Sequence, residues 1–462
     1  MVFYLSAVFL ALAHLVPLVA SRLAVSRRGA AGDVFSPALF VVGMSALGVP
    51  YLFLVAGDRS YLSYELLHSP WLRDLEGVTA AYVVVIAATL ALTLLGASLP
   101  LAGAVAARLP RLGVERFTPA RTRLALLVSG GLGGGLYLYY LHSMGGLQML
   151  WAYMYLRTML SSGLGYLGMV YTALLMFFAA LLVFRLRFGA NPLRVAATVA
   201  GVLGVALVLA STGGRAPVLH LLVLVFLTHH YGVRRRRRLL TPGVAALGCV
   251  LFAFAVIVPL FRSTSAYVRY TTRPELLVKD GGRAVSRVAP QFSPFDRTAV
   301  MLAYFTPERM WLGRSYLDLV YAPIPRSLYP DKPPVDDGIY FKTIVDGRHV
   351  VPSLPARQML ANSWPMGNLV GYMNFGVAGL IAVMVLSGVA IGAAYRYVAV
   401  CGGAPLAIVL YEAMAMGGGV QFSVFGIVQF LTNTTVAVGF FWLFFAPKRW
   451  PRPAARPLAA AA

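Results

Sequence analysis

Apolar runs of about 20 residues recur from one end of this chain to the other, and one long polar stretch interrupts them. Eleven runs predict helices: 2–20, 35–56, 78–107, 124–141, 165–184, 196–212, 216–231, 243–261, 368–396, 404–417 and 423–446. Each is long enough, or nearly so, to cross a hydrocarbon layer about 30 Å thick. Backbone groups in lipid must be paired within the protein, which leaves helices as the reading for such runs. The pattern therefore predicts an all-α polytopic membrane protein of about eleven transmembrane helices, with one large extracytoplasmic loop between the eighth and ninth. It divides the chain into four regions: an N-terminal bundle of about eight helices (1–261), a loop with short helices (262–367), C-terminal helices (368–446), and a Pro/Ala/Arg-rich tail (447–462) expected to be cytoplasmic and disordered.

Composition supports this reading. The chain of 462 residues is 59% hydrophobic and 12% charged, whereas a soluble globule carries about 25% charged residues. A soluble enzyme with a single anchor is excluded. A net charge of +23 invites a nucleic-acid reading, but the bases do not gather on one soluble domain. They fall in alternate loops: five arginines in 108–123, three in 185–195 and Arg234 to Arg238 in a row, against four acids in 57–77 and Arg157 alone in 142–164. This alternation obeys the positive-inside rule. It places the N-terminus outside, the C-terminus in the cytoplasm and the 262–365 loop outside. Ser211 to Pro217 separates two runs with glycines and a proline, which break a helix. One kinked helix there would reverse the downstream topology and spoil the alternation. Cys249 lies in a span and Cys401 at a span boundary, so neither a disulfide framework nor zinc spacing is present. Residues 1–20 lack a basic leading region, which predicts a retained first helix.

Ionisable groups gather in the polar stretch. Residues 262–365 hold nine of the sixteen acids and fourteen of the thirty-nine bases, and chemistry at a membrane surface needs such groups where apolar spans cannot cheaply supply them. Prolines at 323, 325, 330, 333 and 334 predict a stiff, extended segment that holds Arg314, Arg326 and Lys332 at set positions. Three cations held so suit a pyrophosphate; the plainer reading is a rigid linker with solvated charges. Arg215, beside Gly213 and Gly214 at the start of the 216–231 helix, suits a diphosphate-lipid contact, because glycines admit a close ligand and guanidinium forks phosphate. Its plainer reading is an arginine snorkelling to headgroups. Asp296, Glu308, Asp318, Asp331, Asp336, Asp337 and His349 are candidate bases, and spacing does not rank them. Asp336-Asp337 lacks neighbouring metal ligands, which favours turn or surface use. Asp58, Glu65, Asp74 and Glu76 stand near Tyr61, Tyr64 and Trp71, a pattern shared by sugar sites and membrane interfaces. Glu412 alone of the acids sits within a span, and an intramembrane carboxylate is a functional candidate. Gly131 and Gly135 have the GxxxG spacing of close helix packing.

Gly313-Arg314 followed by Ile324-Pro325-Arg326-Ser327-Leu328-Tyr329-Pro330-Asp331-Lys332-Pro333 resembles a signature of the Wzy-like O-antigen and exopolysaccharide repeat-unit polymerases. Gly213-Gly214-Arg215 is similar to that family's glycine-arginine turn between mid-chain helices, and Asn374-Phe375-Gly376 to the opening of the helix after its large loop. One departure stands at Gly367-Asn368, where relatives often carry a glutamate after the glycine. The resemblance implies a bacterial inner-membrane glycosyltransferase that needs no cofactor and no metal. It would move a glycan from a polyprenyl diphosphate onto another lipid-linked repeat unit, alongside a repeat-unit flippase and a chain-length regulator. On that reading Arg215, Arg262, Arg314, Arg326 and Lys332 bind the leaving diphosphate, and Asp296 or Asp318 deprotonates the acceptor hydroxyl. Gly213, Gly214, Pro325, Pro330, Pro333, Asn374 and Gly376 shape the motifs. Three other readings stand beside it: an O-antigen ligase, a transferase using a polyprenyl-phosphate sugar, and a polysaccharide or lipid transporter. Against transport, the sequence shows no internal repeat and only Glu412 within a span.

Overall fold

The structure, a computed structural model, describes residues 1–27, 33, 35–46, 48–153, 163–212, 216–234, 269, 272–273, 275–276, 293–326, 328–355, 358, 363–416 and 421–446. The expected span at 243–261, the Gly213-Gly214-Arg215 turn, Arg262 and the tail from 447 lie outside these residues.

Among the described residues the longer regular elements are helices, and none is a strand. In the first half they are α1 (Val2–Arg27), α2 (Pro37–Ala46), α3 (Val49–Gly57), α4 (Tyr64–Leu67), α5 (Leu75–Ser98), α6 (Pro100–Arg108), α7 (Pro119–Ser143) and α8 (Gly146–Ala152). Then come α9 (Gly165–Phe184), α10 (Pro192–Ser211) and α11 (Ala216–Leu227). The polar loop contributes α12 (Phe295–Tyr304), α13 (Asp318–Tyr321) and α14 (Asp337–Val345), and after it come α15 (Val370–Val400), α16 (Pro405–Met416) and α17 (Val424–Phe445). Eight helical segments among the described residues are long and apolar enough to cross a membrane: those of α1, α5, α7, α10 and α17, α9 continued to Phe188, α11 continued through a further turn to Val233, and α15 with the turn before it from Gly367.

Local chemistry sets the helix starts. Asp74, Thr118, Asn191 and Ser423 each accept a backbone N–H from the first turn of α5, α7, α10 and α17, satisfying donors that a helix leaves unpaired. Pro119 and Pro192 come directly after their caps, where a missing N–H costs nothing. Prolines also split two expected spans. The 35–56 run becomes α2 and α3, with Pro50 in the first turn of α3. The 78–107 run breaks at Leu99, whose ψ of 145° is extended, because a residue before proline avoids helical angles. The expected tenth span is only the 12 residues of α16.

Helix α15 is not one rod. Phe375 (φ −134°) and Gly376 (φ 62°, ψ −145°) leave helical geometry, and the turn before this break folds back onto the turn after it. A Cβ on Gly379 would stand 2.1 Å from the Gly371 carbonyl oxygen, and one on Gly376 would stand 2.6 Å from Met310 Cε. Only glycine accepts that backbone and that proximity. Below the break, α15 lies against α5 along small residues. A Cβ on Gly388 would meet Thr93 O at 2.1 Å, and one on Gly392 would meet Ala97 O at 2.5 Å. Close backbone approach of this kind holds helices together where lipid offers no hydrophobic gain. On α7 the close approach falls elsewhere than the sequence suggests. Gly130 and Gly133 face Phe178, Leu174 and Leu175 of α9, while Gly131 and Gly135 meet open space.

The connections sort into two ends. At one end, Ser63 N–H donates to Asp296 (2.9 Å), Trp71 Nε1 to Ile344 O (2.6 Å) and Tyr166 OH to Ala322 O (3.0 Å). Segments 57–77, the start of α9 and the polar loop are therefore neighbours. At the other end, Val114 N–H donates to Cys401 O (3.2 Å), Arg187 to Gly232 O (3.1 Å) and Tyr231 OH to Asp33 (2.9 Å). These are the two sets that alternating charge predicts. The loop shares an apolar core with the bundle: Phe295, Trp311, Tyr340 and Phe341 are buried together with residues of α1, α3 and α5. It is a docked cap over one end of the bundle.

Candidate functional site

The segment after α12 docks onto the break in α15 through one side chain. Asn374 is fully buried. Its Oδ1 accepts from Gly313 N–H (3.1 Å) and Ser315 Oγ (3.2 Å), and its Nδ2 donates to Val370 O (3.0 Å). An amide has both an acceptor and donors, which lets a single residue join a loop to a helix start. Trp311 and Leu312 donate N–H groups to the carbonyls of Met373 and Asn374 at 3.0 Å, and Tyr316 stacks on Phe375 with an interplanar angle of 13°. Gly313-Arg314 and Asn374-Phe375-Gly376, some sixty residues apart in sequence, thus meet at one place.

The proline-rich stretch is stiff but not extended. Ile324 N–H donates to Tyr321 O, Leu328 and Tyr329 to Pro325 O, and Lys332 to Tyr329 O. These are successive turns, with Pro325 and Pro330 exposed and Pro333 and Pro334 buried. Lys332 is buried, and its Nζ donates to the carbonyls of Ala322 (2.7 Å) and Ile324 (2.9 Å). Burial, then the charge of Arg326, holds its pKa below the usual lysine range. Expected as a diphosphate contact, Lys332 instead ties these turns together. Arg314 and Arg326 are exposed.

Both acids expected as bases are enclosed. Asp296 is 2% exposed and accepts from Tyr51 OH (2.8 Å) and Ser63 N–H (2.9 Å). Asp318 is 1% exposed and accepts from Tyr340 OH (2.7 Å) and Ser353 Oγ (2.6 Å). Burial raises both pKa values while these bonds lower them, and burial dominates. With both oxygens engaged, each joins distant parts of the cap, an arrangement of staples; a base must reach the proton it takes. Of the Asp336-Asp337 pair, the first matches the expected turn use and the second departs from it. Asp336 caps α14 through Gly338 N–H (2.9 Å). Asp337 is buried; its Oδ2 accepts from Val424 N–H at the start of α17 (2.6 Å), and its Oδ1 has no hydrogen-bond partner among the described residues. Burial and the neighbouring Asp336 push its carboxyl up to about 7. His349 is exposed against Trp71 and Tyr304. Among the described residues no three His, Cys, Asp or Glu side chains gather as metal ligands.

Sequence reading misses one partnership. Glu412 of α16 accepts from His220 Nδ1 of α11 at 2.8 Å. The pair borders a cavity of about 230 Å³ between α9, α11, α16 and α17, with Gln421, Gln429, Asn433 and Thr434 among its polar lining. Glu412 stands out in the sequence as a carboxylate in an apolar run; its partner 192 residues away carries no local signal. Ala216 and Pro217 also line the cavity, directly after Gly213-Gly214-Arg215 in the chain. The cap is anchored beside it: Tyr166 at the start of α9 bonds Ala322, and Asp337 bonds Val424. No family model, curated protein or solved structure matches this chain.

Proposed function

We propose that this chain is a membrane glycosyltransferase that polymerises polyprenyl-diphosphate-linked oligosaccharide repeat units into O-antigen, capsule or exopolysaccharide at the outer face of a bacterial inner membrane. The N-terminus lies outside and the C-terminus in the cytoplasm, as the loop charges indicate. The observation that carries the reading is the docking of Gly313-Arg314 on Asn374. It brings together two of the stretches on which the resemblance rests, on a cap anchored beside a cavity whose lining includes Glu412, Gln421, Gln429 and Asn433. Arg314 and Arg326, exposed on stiffened turns, are suited to grip a diphosphate and to stabilise the charge that grows as it leaves. Arg215 and Arg262 join them on the strength of the resemblance. Nucleotide sugars are cytoplasmic, so an outward site draws on a lipid-borne donor. The partners are that donor, a lipid-linked acceptor, membrane lipids, a flippase and a chain-length regulator.

In cells lacking the native copy, Arg326→Ala and Arg314→Ala reduce polymerisation by about 10²–10³, by analogy with loss of one oxyanion donor, and leave single repeats on the surface. Polymer of normal length and amount from both variants ends the assignment. Unattached long polymer instead identifies a ligase. The His220–Glu412 pair within the bundle favours one rival, a proton-coupled transporter, since transporters place ionisable groups at membrane depth. Purified protein that lengthens lipid-linked repeats in detergent excludes it.

A further inference from the structure

We propose that His220 is the proton acceptor for the attacking sugar hydroxyl, with Glu412 as the residue that positions it; this rests on the glycosyltransferase reading. Geometry carries the assignment. His220 Nδ1 is engaged by Glu412 Oε1 at 2.8 Å, and Nε2 has no hydrogen bond among the described residues. A carboxylate on Nδ1 selects the tautomer with its proton there and leaves the Nε2 lone pair open to a substrate. The imidazole is 34% exposed and Glu412 8% exposed, so the carboxylate is the enclosed, orienting member and the ring the accessible one. His220 borders the cavity and sits in the second turn of α11, about 6 Å from the helix start at a rise of 1.5 Å per residue. Ala216, where that helix begins, lies at the cap-side end of the bundle by charge alternation. Gln429, Asn433 and Thr434 line the same space with the paired donors and acceptors that sugar hydroxyls need. Asp296 and Asp318, the two loop acids expected as bases, offer no such open atom: both oxygens of each already accept bonds.

The step balances without a further reactant. The acceptor oxygen forms a bond to the anomeric carbon of the donor glycan as its proton passes to His220 Nε2. The bond from that carbon to the diphosphate breaks, and its electron pair leaves on the polyprenyl diphosphate. The imidazolium, held beside Glu412, returns its proton to water.

The test uses the full-length protein in cells lacking the native copy, with polymer measured per amount of membrane-inserted protein. His220→Gln keeps a side chain that donates to Glu412 but removes the basic nitrogen. It lowers polymer about 10²-fold or more, within the usual range for general-base loss. His220→Ala falls equally, and imidazole added to the medium restores part of the output, which a merely structural defect would not permit. Glu412→Gln falls less than His220→Gln. Wild-type polymer from His220→Gln overturns the assignment, as does an inactive His220→Ala protein that imidazole leaves inactive. Arg326→Ala, measured alongside, separates the two levels. If it alone loses polymer, the proton acceptor is wrong and the transferase reading stands; if Arg314→Ala, Arg326→Ala and His220→Gln all make normal polymer, the transferase reading falls.

Discussion

Asp337 shows how one buried side chain sets the pH response of the cap. Its ordinary value is 3.8, and burial with the nearby Asp336 moves it to about 7 in the folded protein. Between those values the folded state keeps a proton that the unfolded chain releases, so stability falls as pH rises from about 4 to about 7. Asp337→Asn removes the titration and still offers an oxygen to Val424 N–H. In detergent, the melting temperature of the variant should match wild type near pH 4 and exceed it at pH 8. A wild-type melting curve that is flat across this window contradicts the account. Asn374 makes the opposite case. Asn374→Ala strands Gly313 N–H and Ser315 Oγ in a buried place, at a cost of about 1–3 kcal/mol. The expected readout is a lower melting temperature and faster proteolysis between residues 311 and 334. Neither residue's partner was legible in the sequence. Asp337 reads there as half of an acidic turn, and only its burial under the start of α17 makes it unusual.

At the scale of elements, helix starts carry local signals, yet the spans read by apolar length at 78, 124 and 196 begin inside α5, α7 and α10. Asp74, Thr118-Pro119, Asn191-Pro192 and Ser423 announce their starts by local chemistry alone. The breaks at Leu99 and before Pro50 also have a proline signal, which continuous hydrophobicity overrides when spans are read by length. The reversal at Phe375–Gly376 is different, because Gly376 sits in an apolar run rich in other glycines. Its φ of 62° and the methyl of Met310 distinguish it from them, and both belong to tertiary structure. Gly376→Ala forces a Cβ into that contact and a strained backbone, costing about 1–3 kcal/mol. Gly131→Ala on α7, where a Cβ meets open space, should be neutral or better, since glycine within a helix costs about 1 kcal/mol relative to alanine. Parallel thermal melts compare the two. A Gly376→Ala protein as stable as Gly131→Ala would show that the reversal is not fixed by this residue.

For the whole molecule, charge alternation anticipated which connections lie together, because that signal is carried by composition and needs no contact information. The same source predicts the orientation, which cysteine labelling measures. Cysteines placed at Ser60 and Arg348 should react with an impermeant reagent applied to intact spheroplasts, and one at Arg116 should react only after the membrane is opened. The reverse pattern would put the cap in the cytosol and end the lipid-donor chemistry. What composition did not disclose is the cavity, since its walls come from four helices spread over residues 172–437. Sequence reading marked Glu412 as an isolated intramembrane charge and looked to the loop for a base. Helix packing pairs that charge with an imidazole, and the cap encloses Asp296 and Asp318.

The glycine seam between α5 and α15 has a mechanical consequence. With Gly388 and Gly392 seated on the main chain of Thr93, Gly96 and Ala97, neither helix has side-chain slack with which to slide or roll against the other. They behave as a fixed post. Any opening of the bundle toward the bilayer falls instead to contacts made by larger side chains, such as those around the cavity between α9, α11, α16 and α17, which yield by changing rotamer.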